Sequence, residues 1–220
     1  GIAYGLVHYA GFANELLEWH GHNDFYRAVV NAGTAWLYGI SAVNCTLLGI
    51  GERAGNTPLE AMVFEYAALR GTTDGMDTRI VTEIADYYRK ELHYDIPPMT
   101  PLVGEQFNAT RAGIHADGLL KDEEIYNIFD TEALLNRRVR VNIGQNSGAA
   151  GLVYWLHTYF GLPGKNGLDK RDPRLNPILE WINEQYEQGR VASIGDDELA
   201  EVVERLAPDL YAELTQKAGE

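Results

Sequence analysis

His20-Gly21-His22 sets two imidazoles two residues apart, and Asn23-Asp24 follow directly. On an extended backbone, residues i and i+2 face the same way, so both rings can converge on one divalent ion. Neutral imidazole is the commonest protein ligand for such ions. One β/α unit later comes a second polar run, Gly49-Ile50-Gly51-Glu52-Arg53-Ala54-Gly55-Asn56. Its three glycines allow close backbone approach. Asn56 can offer a carbonyl oxygen to a metal, while Glu52 or Arg53 can orient its neighbours. Taken singly, each run has an ordinary reading: polar residues after a strand, and a glycine-rich turn with a surface ion pair.

Both runs need strands ahead of them. Leu16-Leu17-Glu18-Trp19 reads as a short buried strand delivering His20, preceded by helix-compatible Ile2 to Tyr9. Phe25, Val29, Ala32 and Trp36 keep helical spacing across residues 25–38. Residues 41–48 read as a second strand that runs into the glycine-rich segment. Thr57, Pro58 and Glu60 carry the signature of a capping box. The helix behind it has an apolar face of Leu59, Met62, Val63, Tyr66 and Leu69, with Gly71 as its stop. Strand, helix, strand, helix is the rhythm of a parallel α/β sheet, where sites form at the C-terminal ends of strands.

That rhythm ends near residue 75. Residues 77–92 form another amphipathic pattern, Pro97-Pro98 breaks the chain, and helical patterns follow at 122–129, 148–160, 177–188 and 196–206. Basic, strand-like Arg138–Ile143 interrupts them. Two strands fall far short of a (β/α)8 barrel, which takes about 250 residues. An open two-stranded parallel sheet would leave its edges unpaired. The missing strands are therefore expected from a longer polypeptide or a second chain.

Composition narrows the partners. Eighteen basic against 32 acidic residues leave a net charge of −14 over 220 residues, which opposes nucleic acid or an anionic membrane as the main partner. With 45% hydrophobic and 10% aromatic residues the chain is not a disordered composition. Cys45 is the only cysteine, which excludes a disulfide framework and fits a reducing, cytoplasmic setting. No apolar stretch reaches the ~18 residues of a membrane span. Gly1-Ile2-Ala3-Tyr4 shows neither an initiator Met nor a signal-peptide pattern. Cys45 itself reads as a small core residue, and Tyr154, Trp155, Tyr159 and Phe160 as a helix packing face.

Together, the His-Gly-His-Asn-Asp run and the Gly-Ile-Gly-Glu-Arg-Ala-Gly-Asn run resemble the acyl-CoA-condensing enzymes of the metal-dependent, lyase-like TIM barrels. That family includes isopropylmalate, homocitrate and Re-type citrate synthases. The resemblance implies His20, His22 and Asn56 as ligands of a divalent cation (Mn²⁺, Mg²⁺, Co²⁺ or Zn²⁺), and Thr46 as a contact for a 2-oxo acid carboxylate. Ala112-Gly113-Ile114-His115-Ala116-Asp117-Gly118 resembles the segment holding the family's catalytic histidine, which falls on His115. Tyr126 matches its catalytic tyrosine. The implied fold is α/β: the C-terminal part of a (β/α)8 TIM barrel over 1–75, then a mainly helical linker and subdomain region over 76–220 carrying His115 and Tyr126.

The implied reaction is a Claisen-type condensation of acetyl-CoA with a 2-oxo acid, releasing CoA, in a homodimer. Leu47-Leu48 replaces the Ile-Asn usual in isopropylmalate synthases, and Thr57-Pro58-Leu59 resembles homocitrate synthases, many of which lack Asn56. Residues 19–38 look most like Re-type citrate synthase, so oxaloacetate is the expected acceptor, with homocitrate or 2-isopropylmalate synthesis as alternatives. The family's first-strand motif, with an acidic metal ligand and an arginine, is not among the 220 residues, nor is the glutamate that works with the histidine. Rival expectations are an acyl-CoA lyase of the same superfamily, which residues 112–118 oppose, an incomplete non-catalytic fragment or subunit, and a plain binding module.

Overall fold

Parallel pairing of β1 (Glu18–Trp19) with β2 (Ala42–Val43), in the register Glu18 to Ala42 and Trp19 to Val43, frames the segment that carries the histidine pair. The computed structural model describes residues 1–162 and 168–218, in two compact units, Gly1–Phe107 and Asn108–Glu220. In the first, α1 (Ile2–His8) precedes β1, and α2 (Ala28–Leu37) connects β1 to β2. A 3-10 turn, Leu47–Gly49, leads through the glycine-rich loop to α3 (Leu59–Arg70), and α4 (Ile80–Lys90) follows. The elements fall where periodicity places them, but the strands are shorter. Leu16 is exposed and Trp19 half-buried, so β1 is not the buried strand expected. Among the described residues it pairs only with β2, which leaves its surface uncovered.

The start of α3 also differs from the expected capping box. Pro58 takes the N-cap position in an extended conformation (φ −67, ψ 130) with no side-chain cap. Thr57 is fully buried, and its carbonyl accepts from the Thr46 N–H at 3.0 Å. That pairing holds Thr57 as strand-like backbone, so its hydroxyl is not free to fold back on the helix. Glu60 instead turns to accept the Leu48 N–H at 3.1 Å. The C-terminus closes as expected, on Gly71 at φ 71.

In the second unit, β3 (Ala109–Thr110) pairs in parallel with β4 (Arg140–Val141), followed in sequence by α5 (Gly113–Leu119) and α6 (Thr131–Leu135) after β3, and α7 (Gly148–Tyr159), α8 (Asn176–Glu187), α9 (Asp196–Leu206) and α10 (Pro208–Ala218) after β4. Its core is continuous, with Leu152, Leu156, Leu175, Ile178, Leu199 and Leu210 all fully buried. Trp155 stacks on Tyr159 with centroids 4.7 Å apart and donates Nε1–H to Asp196 Oδ1 at 2.8 Å. The helix expected at 122–129 is reduced to a 3-10 turn, Glu123–Ile125. There the Glu123 carboxylate accepts from Thr131 N–H and Oγ1–H at 2.8 and 2.6 Å, tying the turn to the start of α6. No helix among the described residues is long and apolar enough to cross a membrane.

Candidate metal centre and acid–base pair

The β1–β2 register carries past its last paired residues: Asn44 N–H donates to the Trp19 carbonyl at 2.7 Å, which sets Asn44 beside His20. His20 Nδ1 lies 3.0 Å from Asn44 Oδ1. The two Nε2 atoms of His20 and His22 approach to 3.3 Å, with the rings nearly perpendicular at 86°. Two nitrogens bound to one ion at ~2.1 Å in tetrahedral or octahedral geometry stand about 3.0–3.4 Å apart. The pair is therefore spaced as two ligands of a common cation would be.

Asn56 joins through the backbone. It forms an isolated antiparallel bridge with His22, and Asn23 N–H donates to the Gly55 carbonyl at 2.9 Å. Asn56 Oδ1, His22 Nδ1 and Thr46 Oγ1 are buried without a hydrogen-bond partner among the described residues. A buried acceptor left unpaired costs about 1–3 kcal/mol, and a bound cation relieves that cost at an amide oxygen. Two imidazoles and one amide oxygen suit a divalent ion of the Mn²⁺, Mg²⁺, Co²⁺ or Zn²⁺ type. Among the described residues no group of three or more His, Cys, Asp or Glu side chains forms such a site.

The glycines bring the loop to this position. Gly55 has φ +92, and a Cβ there would sit 2.3 Å from the Gly49 carbonyl oxygen. A Cβ on Gly51 would lie 2.6 Å from Asn56 Oδ1. The contact at Gly55 is with backbone and leaves no room for a side chain, whereas one at Gly51 would have to displace the Asn56 amide over which the loop folds. Gly55→Ala combines a clash with a left-handed backbone, and we expect it to destabilise the protein by about 1–3 kcal/mol, read as a lowered Tm in thermal denaturation.

Charged groups hold the flanks. Arg53 donates from Nε and Nη2 to the two Asp24 oxygens at 2.9 and 3.2 Å, linking the two polar runs. The guanidinium holds the Asp24 carboxyl below the usual carboxylate range. Glu60 is buried, and burial pushes its carboxyl up, offset in part by backbone N–H donors. Leu48, whose N–H it accepts, sits at φ 57, a left-handed conformation that any residue with a Cβ adopts at a cost. A raised native-state carboxyl means that the folded protein binds more protons than the unfolded one above the ordinary value of 4.5. Stability contributed there is lost as pH rises from that value through the folded one. Glu60→Gln keeps an acceptor oxygen and removes the titration, so thermal stability measured against pH should be flatter through that window. Cys45 is half-buried and its thiol is pushed up by burial, which fits a packing role and not a thiolate nucleophile.

The second unit holds the other expected pair. His115, on α5, stacks on Tyr126 with centroids 4.5 Å apart and planes 30° from parallel. Thr110 Oγ1 lies 3.1 Å from His115 Nδ1 and also accepts the Ala112 N–H at 3.4 Å. Asp117, one turn behind Gly113, is held at about 2 by Lys170 and Lys121. The structure thus brings His20 together with His22, sets Asn56 opposite His22, and joins His115 to Tyr126. Sequence reasoning missed Asn44, Glu18, Glu60 and Thr110. The first two were accessible from the parallel register alone, since Glu18, His20 and Asn44 share one face.

Known proteins resemble this chain at the same segments. The profile of the HMGL-like family matches residues 11–87. The citrate (Re)-synthase of Clostridium kluyveri is 50% identical over 219 residues, covering 100% of this chain and 48% of that protein. That of Syntrophus aciditrophicus is 52% identical over 202 residues, covering 92% of this chain and 32% of its own length. Homocitrate synthase 1 of a Nostoc species is 32% identical over 169 residues, covering 77% of this chain and 43% of that enzyme. The chain spans about half of the first of these relatives and about a third of the second. Both polar runs lie inside the matched segments: residues 11–87 carry an HMGL-like family match, and the chain as a whole is similar to part of the synthases that include citrate (Re)-synthase, homocitrate synthase and 2-isopropylmalate synthase.

Proposed function

We propose that the protein carrying this chain condenses acetyl-CoA with oxaloacetate to give citrate and CoA, as a metal-dependent acyltransferase. The observation that carries the reading is the pair of His Nε2 atoms 3.3 Å apart with an orphaned amide oxygen across the strand bridge. The names of the two citrate (Re)-synthases support oxaloacetate as the acceptor over 2-oxoglutarate or 2-oxoisovalerate. In this reading residues 1–75 are the C-terminal part of a (β/α)8 barrel and 76–220 a mainly helical region. The working unit is a cytoplasmic homodimer, in which the helical region of one subunit serves the barrel of the other.

His20, His22 and Asn56 would hold the cation. When bound, the ion supplies Lewis-acid polarisation of the acceptor's keto group and pairing for its carboxylate. Thr46 Oγ1, buried and without a hydrogen-bond partner among the described residues, would donate to that carboxylate. The acetyl methyl must lose a proton, and its carbon must then add to the keto carbon. His115 serves that proton transfer. With Thr110 at Nδ1, its other nitrogen is the one left to exchange protons. Tyr126, stacked on the ring, donates its phenolic hydrogen to oxygen charge developing in the same step. Water then cleaves the thioester, releasing CoA as the thiol. A colorimetric assay of thiol release tests the reading, with each 2-oxo acid supplied in turn.

A further inference from the structure

We infer that Asn44 is a positioning residue that holds His20 in one tautomer, with Glu18 behind it. Glu18 and His20 lie two residues apart on the extended run of β1, and the parallel register sets Asn44 beside His20. All three side chains therefore share one face of the sheet. Asn44 Oδ1 is 3.0 Å from His20 Nδ1, and Asn44 Nδ2 donates to Glu18 Oε1 at 3.3 Å.

The donor and acceptor inventory leaves a single arrangement for this chain of contacts. A carboxylate accepts and does not donate, so the amide nitrogen must face Glu18 and the amide oxygen must face His20. An amide oxygen only accepts, so His20 Nδ1 carries the ring proton. The lone pair is then on Nε2, the nitrogen 3.3 Å from His22 Nε2. A ligating histidine is commonly oriented in this way by a partner at its other nitrogen. Here the partner is a neutral amide, itself oriented by a carboxylate one step further out. His22 differs: its Nδ1 is buried with no partner among the described residues, so the fixed tautomer belongs to His20. The purpose of the arrangement rests on the metal reading above, whereas its geometry does not.

The test uses the protein labelled with ¹⁵N at histidine, first free of metal and then titrated with Mn²⁺. Long-range proton–nitrogen correlations should show His20 protonated at Nδ1. Asn44→Leu should release it to a mixture of tautomers and weaken Mn²⁺ binding by about 10- to 100-fold. Asn44→Asp combined with Glu18→Gln, which keeps an acceptor oxygen toward Nδ1 and turns a donor amide toward the new carboxylate, should restore the tautomer and bring the affinity back to within a few-fold of the unsubstituted protein. A His20 protonated at Nε2 in the unsubstituted protein would overturn the inference, as would an Asn44→Leu variant that retains both tautomer and affinity. Failure of the unsubstituted protein to bind Mn²⁺ would remove the metal reading instead, while the tautomer of His20 would still decide the role of Asn44.

Discussion

His20→Ala is expected to lower the affinity for Mn²⁺ by more than about 100-fold, since loss of a direct ligand should exceed the 10- to 100-fold that loss of a ligand's orienting partner costs. Turnover should fall with it. His20 Nε2 stands 3.3 Å from His22 Nε2, and neither ring can replace the other, because the strand register fixes both backbones. His20 is exposed, so the substitution leaves little cavity, and its effect on folding should stay small. Isothermal titration with Mn²⁺, beside a thermal melt of the same sample, separates the two effects. Retention of both metal and turnover would show that these imidazoles are not the ligands.

The second large effect is the complement of the first. His115→Ala should leave Mn²⁺ affinity unchanged and reduce turnover by about 100- to 10,000-fold, the range for loss of a positioned proton-transfer group. The histidine is exposed on a short helix, held by Thr110 at one nitrogen and by the Tyr126 ring on its face. Neither of these partners is among the proposed ligands of the ion, so metal binding has no reason to change. Tyr126→Phe keeps the stack and removes the hydroxyl, which separates the orienting role of the ring from its hydrogen-bonding role. A turnover unchanged in His115→Ala would move the proton transfer to another group.

Much of this was legible in the sequence, for reasons specific to each element. Helices with a long apolar repeat, such as α3, α7 and α9, came out within a few residues of their predicted bounds, because a stripe three to four residues wide is a strong signal. The His-Gly-His run was legible because period-two alternation on an extended backbone sets the facing of side chains. The capping box failed at Thr57, whose carbonyl is claimed by Thr46 N–H; a pairing eleven residues away overrides a local preference. The strand β3 carried no signal, since two residues cannot show a period. The turn at Glu123 was misread as helix because Thr131 draws its carboxylate away. Asn44 was legible only through the strand register and not through any run, while Glu60, read as part of the capping box, acts instead through a tertiary hydrogen bond from Leu48 N–H.

In the function proposed above, this chain contributes the metal-holding end and the proton-transferring pair of an oxaloacetate-condensing synthase. Its most direct test is CoA thiol release from acetyl-CoA in Mn²⁺, measured on the natural protein with oxaloacetate, 2-oxoglutarate and 2-oxoisovalerate in parallel. The account predicts release with oxaloacetate, abolished by chelation and restored by added Mn²⁺. Release driven by either of the other acids in preference to oxaloacetate would contradict it, as would release that survives removal of the metal.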